Sequence, residues 1–146
     1  MFRKALELDP GMRSSWSAGA RIKLERGLAA EANRDIDELA RLAPIGESPI
    51  RDAMLGYLFG RAGRTNDALN RLGVLRSPGR TEYVPASGIA SVYLGLGRRR
   101  DALNELERAF AQRDVWLVWL KVHPMYDDVR GEPRFQRLVQ QMNFPP

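Results

Sequence analysis

The chain has no cysteine, a single histidine and only three lysines in 146 residues, and each scarcity excludes something. Without cysteine there are no disulfides, no thiolate nucleophile and no sulfur-built zinc cage. The lone histidine, His123, precedes a proline and reads as structural or solvated rather than catalytic. No apolar run approaches the roughly 18 residues that cross a bilayer. Arg3 and Lys4 are not followed by an apolar stretch, so no secretory leader is expected and the expected location is the cytoplasm. The glycines and arginines from Gly95 to Arg100 lack the spacing of a phosphate-binding loop, and Asp127 with Asp128 lacks the alternating oxygen ligands of a calcium loop. Catalytic residues, metal ligands and cofactors are therefore none, and an enzyme is not expected.

What is present is ordinary for a folded domain: 44% hydrophobic and 28% charged residues. The net charge of +5 is unevenly placed. Residues 1–48 carry eight basic and eight acidic groups, residues 49–113 carry eleven and six, and residues 114–146 carry four and four. The excess belongs to the middle of the chain.

That middle is repetitive. GRTNDALNRL from Gly63 and GRRRDALNEL from Gly97 agree at seven of ten positions, 34 residues apart. A weaker copy, GLAAEANRDI, begins at Gly27, 36 residues upstream of the first. Apolar-periodic segments precede each glycine (Trp16 to Leu24, Ala53 to Phe59, Ala86 to Leu94) and follow it (Ala29 to Leu42, Thr65 to Leu75, Arg100 to Phe110). Gly27, Gly63 and Gly97 stand where a helix ends on a left-handed residue, and Pro49 and Pro85 where a helix begins. Ala32, Ala68 and Ala102 permit close approach between helices. The pattern is a helix pair joined by a tight turn, three times over.

Spacing and residue types together resemble the tetratricopeptide repeat family. Trp16, Ala20, Ala32, Ile36, Leu39 and Pro44 fit its positions in a repeat at residues 13–46. Leu55, Gly56, Phe59, Ala68 and Leu72 fit a repeat at 49–82, with Arg80 in place of the usual proline. Ile89, Ala90, Tyr93, Ala102, Leu106 and Ala109 fit one at 83–113. Residues 1–12, with Phe2, Ala5 and Pro10, resemble the end of a further, partial repeat, as in the C-terminal part of a longer bacterial array. The resemblance implies an all-α, right-handed superhelical solenoid of antiparallel helix pairs. Residues 114–146 supply a C-terminal helical cap: Trp116, Leu117, Trp119 and Leu120 in a short apolar helix on the last repeat, then a final helix from Glu132-Pro133 presenting Phe135, Leu138, Val139 and Met142.

In that family the first helices line a concave groove, which here implies peptide-binding candidates Ser17, Arg21, Ile50, Tyr57, Val84, Ser87 and Ser91. The expected function is protein–protein interaction or scaffolding, with a peptide or helix in the groove, within a larger signalling or regulatory protein. A chaperone-tail clamp is not expected, because Ser17, Arg21, Met54, Val84 and Gly88 occupy its positions. The alternative is a phosphate- or nucleic-acid-binding surface on a basic edge formed by Arg61, Arg64, Arg98, Arg99 and Arg100. The expected partner is a protein or peptide, not a membrane, with self-association through the uncapped half repeat as a further expectation.

Overall fold

The computed structural model describes residues 12–78 and 82–144, with side chains from residue 17 onward. The expected half repeat at the N-terminus, the side chains of Ser14 and Trp16, and Arg80 lie outside the described residues. The described residues are helical, with no strand: α1 (Met12–Glu25), α2 (Ala29–Leu42), α3 (Pro49–Arg61), α4 (Thr65–Leu75), α5 (Ala86–Gly95), α6 (Arg99–Ala111) and α7 (Pro133–Met142). Two short 3-10 helices, η1 (Val115–Trp119) and η2 (Pro124–Val129), separate α6 from α7.

Local chemistry explains the boundaries. Ser48 Oγ accepts the Arg51 N–H at 3.5 Å, and Pro49 follows in the first turn of α3, where its missing N–H costs nothing. The helices α1, α3 and α5 end alike. Gly27, Gly63 and Gly97 take φ of 77°, 78° and 74°, a region closed to most side chains. The next residue then donates its N–H to the carbonyl five positions back: Leu28 to Lys23 at 2.8 Å, Arg64 to Phe59 at 2.8 Å, Arg98 to Tyr93 at 2.9 Å. This closure satisfies carbonyls that a helix end otherwise leaves bare, and it turns the chain within three residues.

The core lies between the helices so joined. α1 packs on α2, α3 on α4 and α5 on α6, while α3 also packs along α5. Ala32, Ala68 and Ala102 are fully buried, as close approach requires. Apolar or small on nearly all sides, α5 is the most enclosed helix, with every residue buried but Gly88. Beyond α6, Phe135 and Leu138 bury one face of α7, and Arg134 reaches from it to Asn104 at 2.6 Å and to Glu107.

The segment after Asp114 departs from expectation. Trp116 and Trp119 are not buried with Leu117 and Leu120. A 3-10 helix has three residues per turn, so side chains three apart eclipse and the helix presents three faces. Leu117 and Leu120 form the buried face, Val115 and Val118 point outward, and Trp116 and Trp119 form a third, about half exposed.

One ion pair is sealed inside the fold. Asp52, in the first turn of α3, is fully buried, and Arg71 of α4 is nearly so. Arg71 Nη1 donates to Asp52 Oδ1 at 2.7 Å and to the Ala43 carbonyl at 2.9 Å, while Asp52 Oδ2 accepts the Gly46 N–H at 3.1 Å. The pair thus ties the turn after α2 to both helices that follow it. Removing one partner strands a charge away from water, at a cost of about 3–5 kcal/mol, whereas replacing both with apolar residues costs far less. Urea denaturation should show Asp52→Leu and Arg71→Met each strongly destabilised and the double variant more stable than either. Additive losses would show that the two charges are not coupled.

Candidate functional site

The helices α1, α3 and α5 and the C-terminal segment line an open, largely apolar cleft of about 330 Å³. Its wall on the helix side comes from α1, α3 and α5, where residues three or four apart share a face. Ser17 and Arg21 enter from α1, Ile50 and Tyr57 from α3, and Ser87 and Ser91 from α5, with Val84 just before it. All seven residues expected to face one groove therefore line one cavity. Ala53 and Gly88 lie between them; a Cβ at Gly88 would come 3.3 Å from that of Ala53, which leaves the wall tight there.

The opposite wall was not legible. Trp116, Trp119, His123, Met125 and Tyr126 of the cap complete the cavity. Tyr126 is buried, its ring 5.8 Å from that of Phe135 in α7. The run Val115 to Leu120 is apolar at every position, so hydrophobicity alone does not say which face packs. The repeat of Val-Trp-Leu every three residues is the signal that matches a 3-10 helix. Only the 3-10 geometry separates the leucines, which pack, from the tryptophans, which face the cavity. A further signal was Asp114, a residue suited to starting a short helix.

Asp114 and Arg130 hold that wall in place. The buried Asp114 carboxylate accepts the Trp116 N–H at 3.0 Å through one oxygen and the Ser87 N–H at 3.0 Å through the other. It therefore starts η1 and also supplies the cap that α5 lacks locally, since Pro85 at its start offers no side-chain acceptor. Arg130 donates to the carbonyls of Leu120 at 3.0 Å, Lys121 at 2.9 Å and His123 at 2.8 Å, clasping the turn between η1 and η2.

Electrostatically the cavity is quiet. Arg21 is the one permanently charged group among its lining residues and pairs with Glu25 at 2.8 Å. Burial raises the Tyr57 hydroxyl pKa and pushes that of Tyr126 up to about 12, with the charge of Asp114 adding to the latter. Both phenols are neutral donors at any ordinary pH. Among the described residues neither phenol nor the buried Ser87 hydroxyl has a hydrogen-bond partner. The site offers apolar surface with a few polar handles, the composition of a binding pocket. No group of three or more His, Cys, Asp or Glu that could hold a metal is present among the described residues.

The basic edge is divided. Arg61 pairs with Asp128 at 3.2 Å, and Arg64 pairs with Asp37 at 2.6 Å and Asp67 at 2.9 Å while lying 4.7 Å above the Phe59 ring. Arg98, Arg99 and Arg100 are exposed at the start of α6, with no ion pair among the described residues. The five arginines do not share one state.

His123 is structural: its Nδ1 accepts the Met125 N–H at 3.1 Å and starts η2. Burial, then the charges of Arg21 and Arg130, hold its pKa below the ordinary 6.5, against the opposing pull of Asp127. The unfolded chain therefore binds the proton more readily. The resulting stability is present above pH about 6.5 and is lost as pH falls through the folded-state value. Urea midpoints should fall between pH about 7.5 and about 5.5 for the wild type, and less steeply for His123→Asn, which keeps a cap acceptor but does not titrate. Equal slopes would remove His123 as the cause.

Comparison with protein-family models, with curated proteins and with solved structures finds no match.

Proposed function

We propose that this chain is an interaction module of the tetratricopeptide type, a right-handed solenoid of antiparallel helix pairs whose groove takes a peptide or helix from a partner protein. The observation that supports the reading is the cavity itself. Residues 34 to 36 apart in sequence, named by the family resemblance, line it together, and the C-terminal segment adds two half-exposed tryptophans. Each indole keeps about half its surface in water. At a protein interface it contributes more than almost any other side chain, through large, rigid contact area. Small Ser17, Ser87 and Ser91 leave room opposite it.

The rival is an anion-binding surface at Arg98–Arg100. These side chains sit at a helix N-terminus, where positive charge opposes the macrodipole. Against it, Arg61 and Arg64 are already neutralised by carboxylates, which leaves a patch rather than a stripe. A solvated patch of this size keeps a protein soluble without binding anything.

Peptides selected from a random library on the full chain separate the two. Trp119→Ala should weaken their binding by about tenfold or more, measured at a temperature where circular dichroism shows the variant folded. Charge reversal at Arg98, Arg99 and Arg100 should leave it unchanged. The opposite pattern, with binding that collapses in salt, favours the anion surface.

A further inference from the structure

The polar groups of the cleft are biased towards donors. Among the described residues no Asp, Glu, Asn or Gln lines it. Trp116 and Trp119 bring indole N–H groups without a partner among the described residues. His123 Nδ1 is spent on the Met125 N–H at 3.1 Å, so the neutral ring carries its proton on Nε2 and donates from there. Arg21, the one charged lining group, can only donate. Ser91 Oγ is already turned back onto the Gly88 carbonyl at 2.6 Å.

Three further hydroxyls are buried as well as unpartnered. Tyr57, Tyr126 and Ser87 are 7%, 3% and 6% exposed, and all three line the cleft without a side-chain hydrogen bond among the described residues. A buried polar group left unpaired is costly, and three around one opening call for a partner that enters from outside. Hydroxyls donate or accept, whereas the indoles, the imidazole Nε2 and the guanidinium only donate. An occupant that satisfies this wall is rich in acceptors and poor in donors.

That requirement distinguishes one backbone from another. An α-helix spends its carbonyls on its own N–H groups. A polyproline II helix has no internal hydrogen bonds and presents every carbonyl, and proline has no N–H to satisfy in return. The walls suit it too. A second cleft of about 400 Å³ shares Pro49, Ile50, Pro85 and Trp116 with the first, so the two form one trough. Along it Tyr83 is exposed and Trp116 and Trp119 are half exposed, flat rings of the kind on which proline-rich segments dock. The charges in the second cleft favour neither sign: Glu82 and Arg113 oppose each other, and Asp114 is committed to the Ser87 and Trp116 N–H groups.

We propose that the trough takes a proline-rich segment of a partner protein in the polyproline II conformation, its carbonyls accepting from Tyr57, Tyr126 and Ser87 and its prolines packing on Trp116 and Trp119. The inference rests on the peptide-binding reading above and adds the conformation and composition of the peptide.

The test uses the full chain, a random-peptide library and the variants Tyr57→Phe and Tyr126→Phe, each of which removes a hydroxyl and keeps the ring. Selected peptides should be rich in proline and show the circular dichroism of polyproline II. Each variant should weaken their binding about three- to tenfold. Its unfolding midpoint without peptide should stay level or rise, because the lost hydroxyl had no partner in the fold. A lowered midpoint in either variant would assign that hydroxyl to the fold and overturn the proposal. Selected peptides that depend on Trp119 but lack proline, turn helical on binding or ignore either variant would overturn it while leaving the groove reading standing. Failure to select any peptide sensitive to Trp119→Ala would remove both.

Discussion

The structure depends on how closely α3 and α5 approach. Each brings a glycine to the crossing. A Cβ on Gly60 would lie 2.5 Å from the Gly95 carbonyl carbon, and one on Gly95 would lie 2.8 Å from Tyr57 Cα. These are backbone atoms in the last turns of two packed helices, and no side chain there can swing away to make room. One turn earlier, a Cβ on Gly56 would meet the Val92 side chain at 2.7 Å. Backbone therefore packs on backbone along this seam, at a distance that side chains would prevent. The consequence reaches the site. Tyr57 and Ser91 lie on the same two helices and share one wall of the cavity because the seam is that tight.

Around the seam, buried acidic groups act as joints. Asp52 receives Arg71 and the Gly46 N–H, and Asp114 receives the N–H groups of Ser87 and Trp116. Both carboxylates face the opening turn of a helix, where the macrodipole favours negative charge, and both tie that turn to a distant stretch of chain. Hydrophobic burial fixes which faces meet but not the angle at which a turn leaves a helix. Directional hydrogen bonds inside a water-poor core supply that angle. Through Asp114, the last joint also aims η1, and with it the tryptophans that close the cavity.

Much of this was legible in the sequence, because repetition amplifies weak signals. Gly63 alone suggests a turn. Gly27, Gly63 and Gly97 at nearly constant spacing locate three turns, and helix bounds such as Thr65 to Leu75 follow directly. The seven groove residues came from the resemblance to the tetratricopeptide family, which names the positions of each first helix that face inward. The rest was hidden for physical reasons. Arg71 and Asp52 are charged, and charge in sequence reads as surface; only the fold shows that they neutralise each other in the core. Trp116 and Trp119 are apolar, and apolar residues read as core; only the three-residue turn of η1 shows that they face the cavity while Leu117 and Leu120 pack. Arg113, after α6, takes the left-handed φ of 57° that glycine takes after α1, α3 and α5, so a search for glycine passes over it.

The central claim is that backbone contact between first helices sets the groove, and paired glycine replacements test it most directly. Gly73 sits inside α4 with open space around it, whereas Gly95 faces the Tyr57 backbone. Gly73→Ala should raise the urea midpoint, by about 0.5–1 kcal/mol of stability, because alanine is the better helix former. Gly95→Ala should lower stability by about 1–3 kcal/mol or more through overpacking. If both substitutions raised the midpoint alike, the seam would have slack, and the groove would owe its shape to something else.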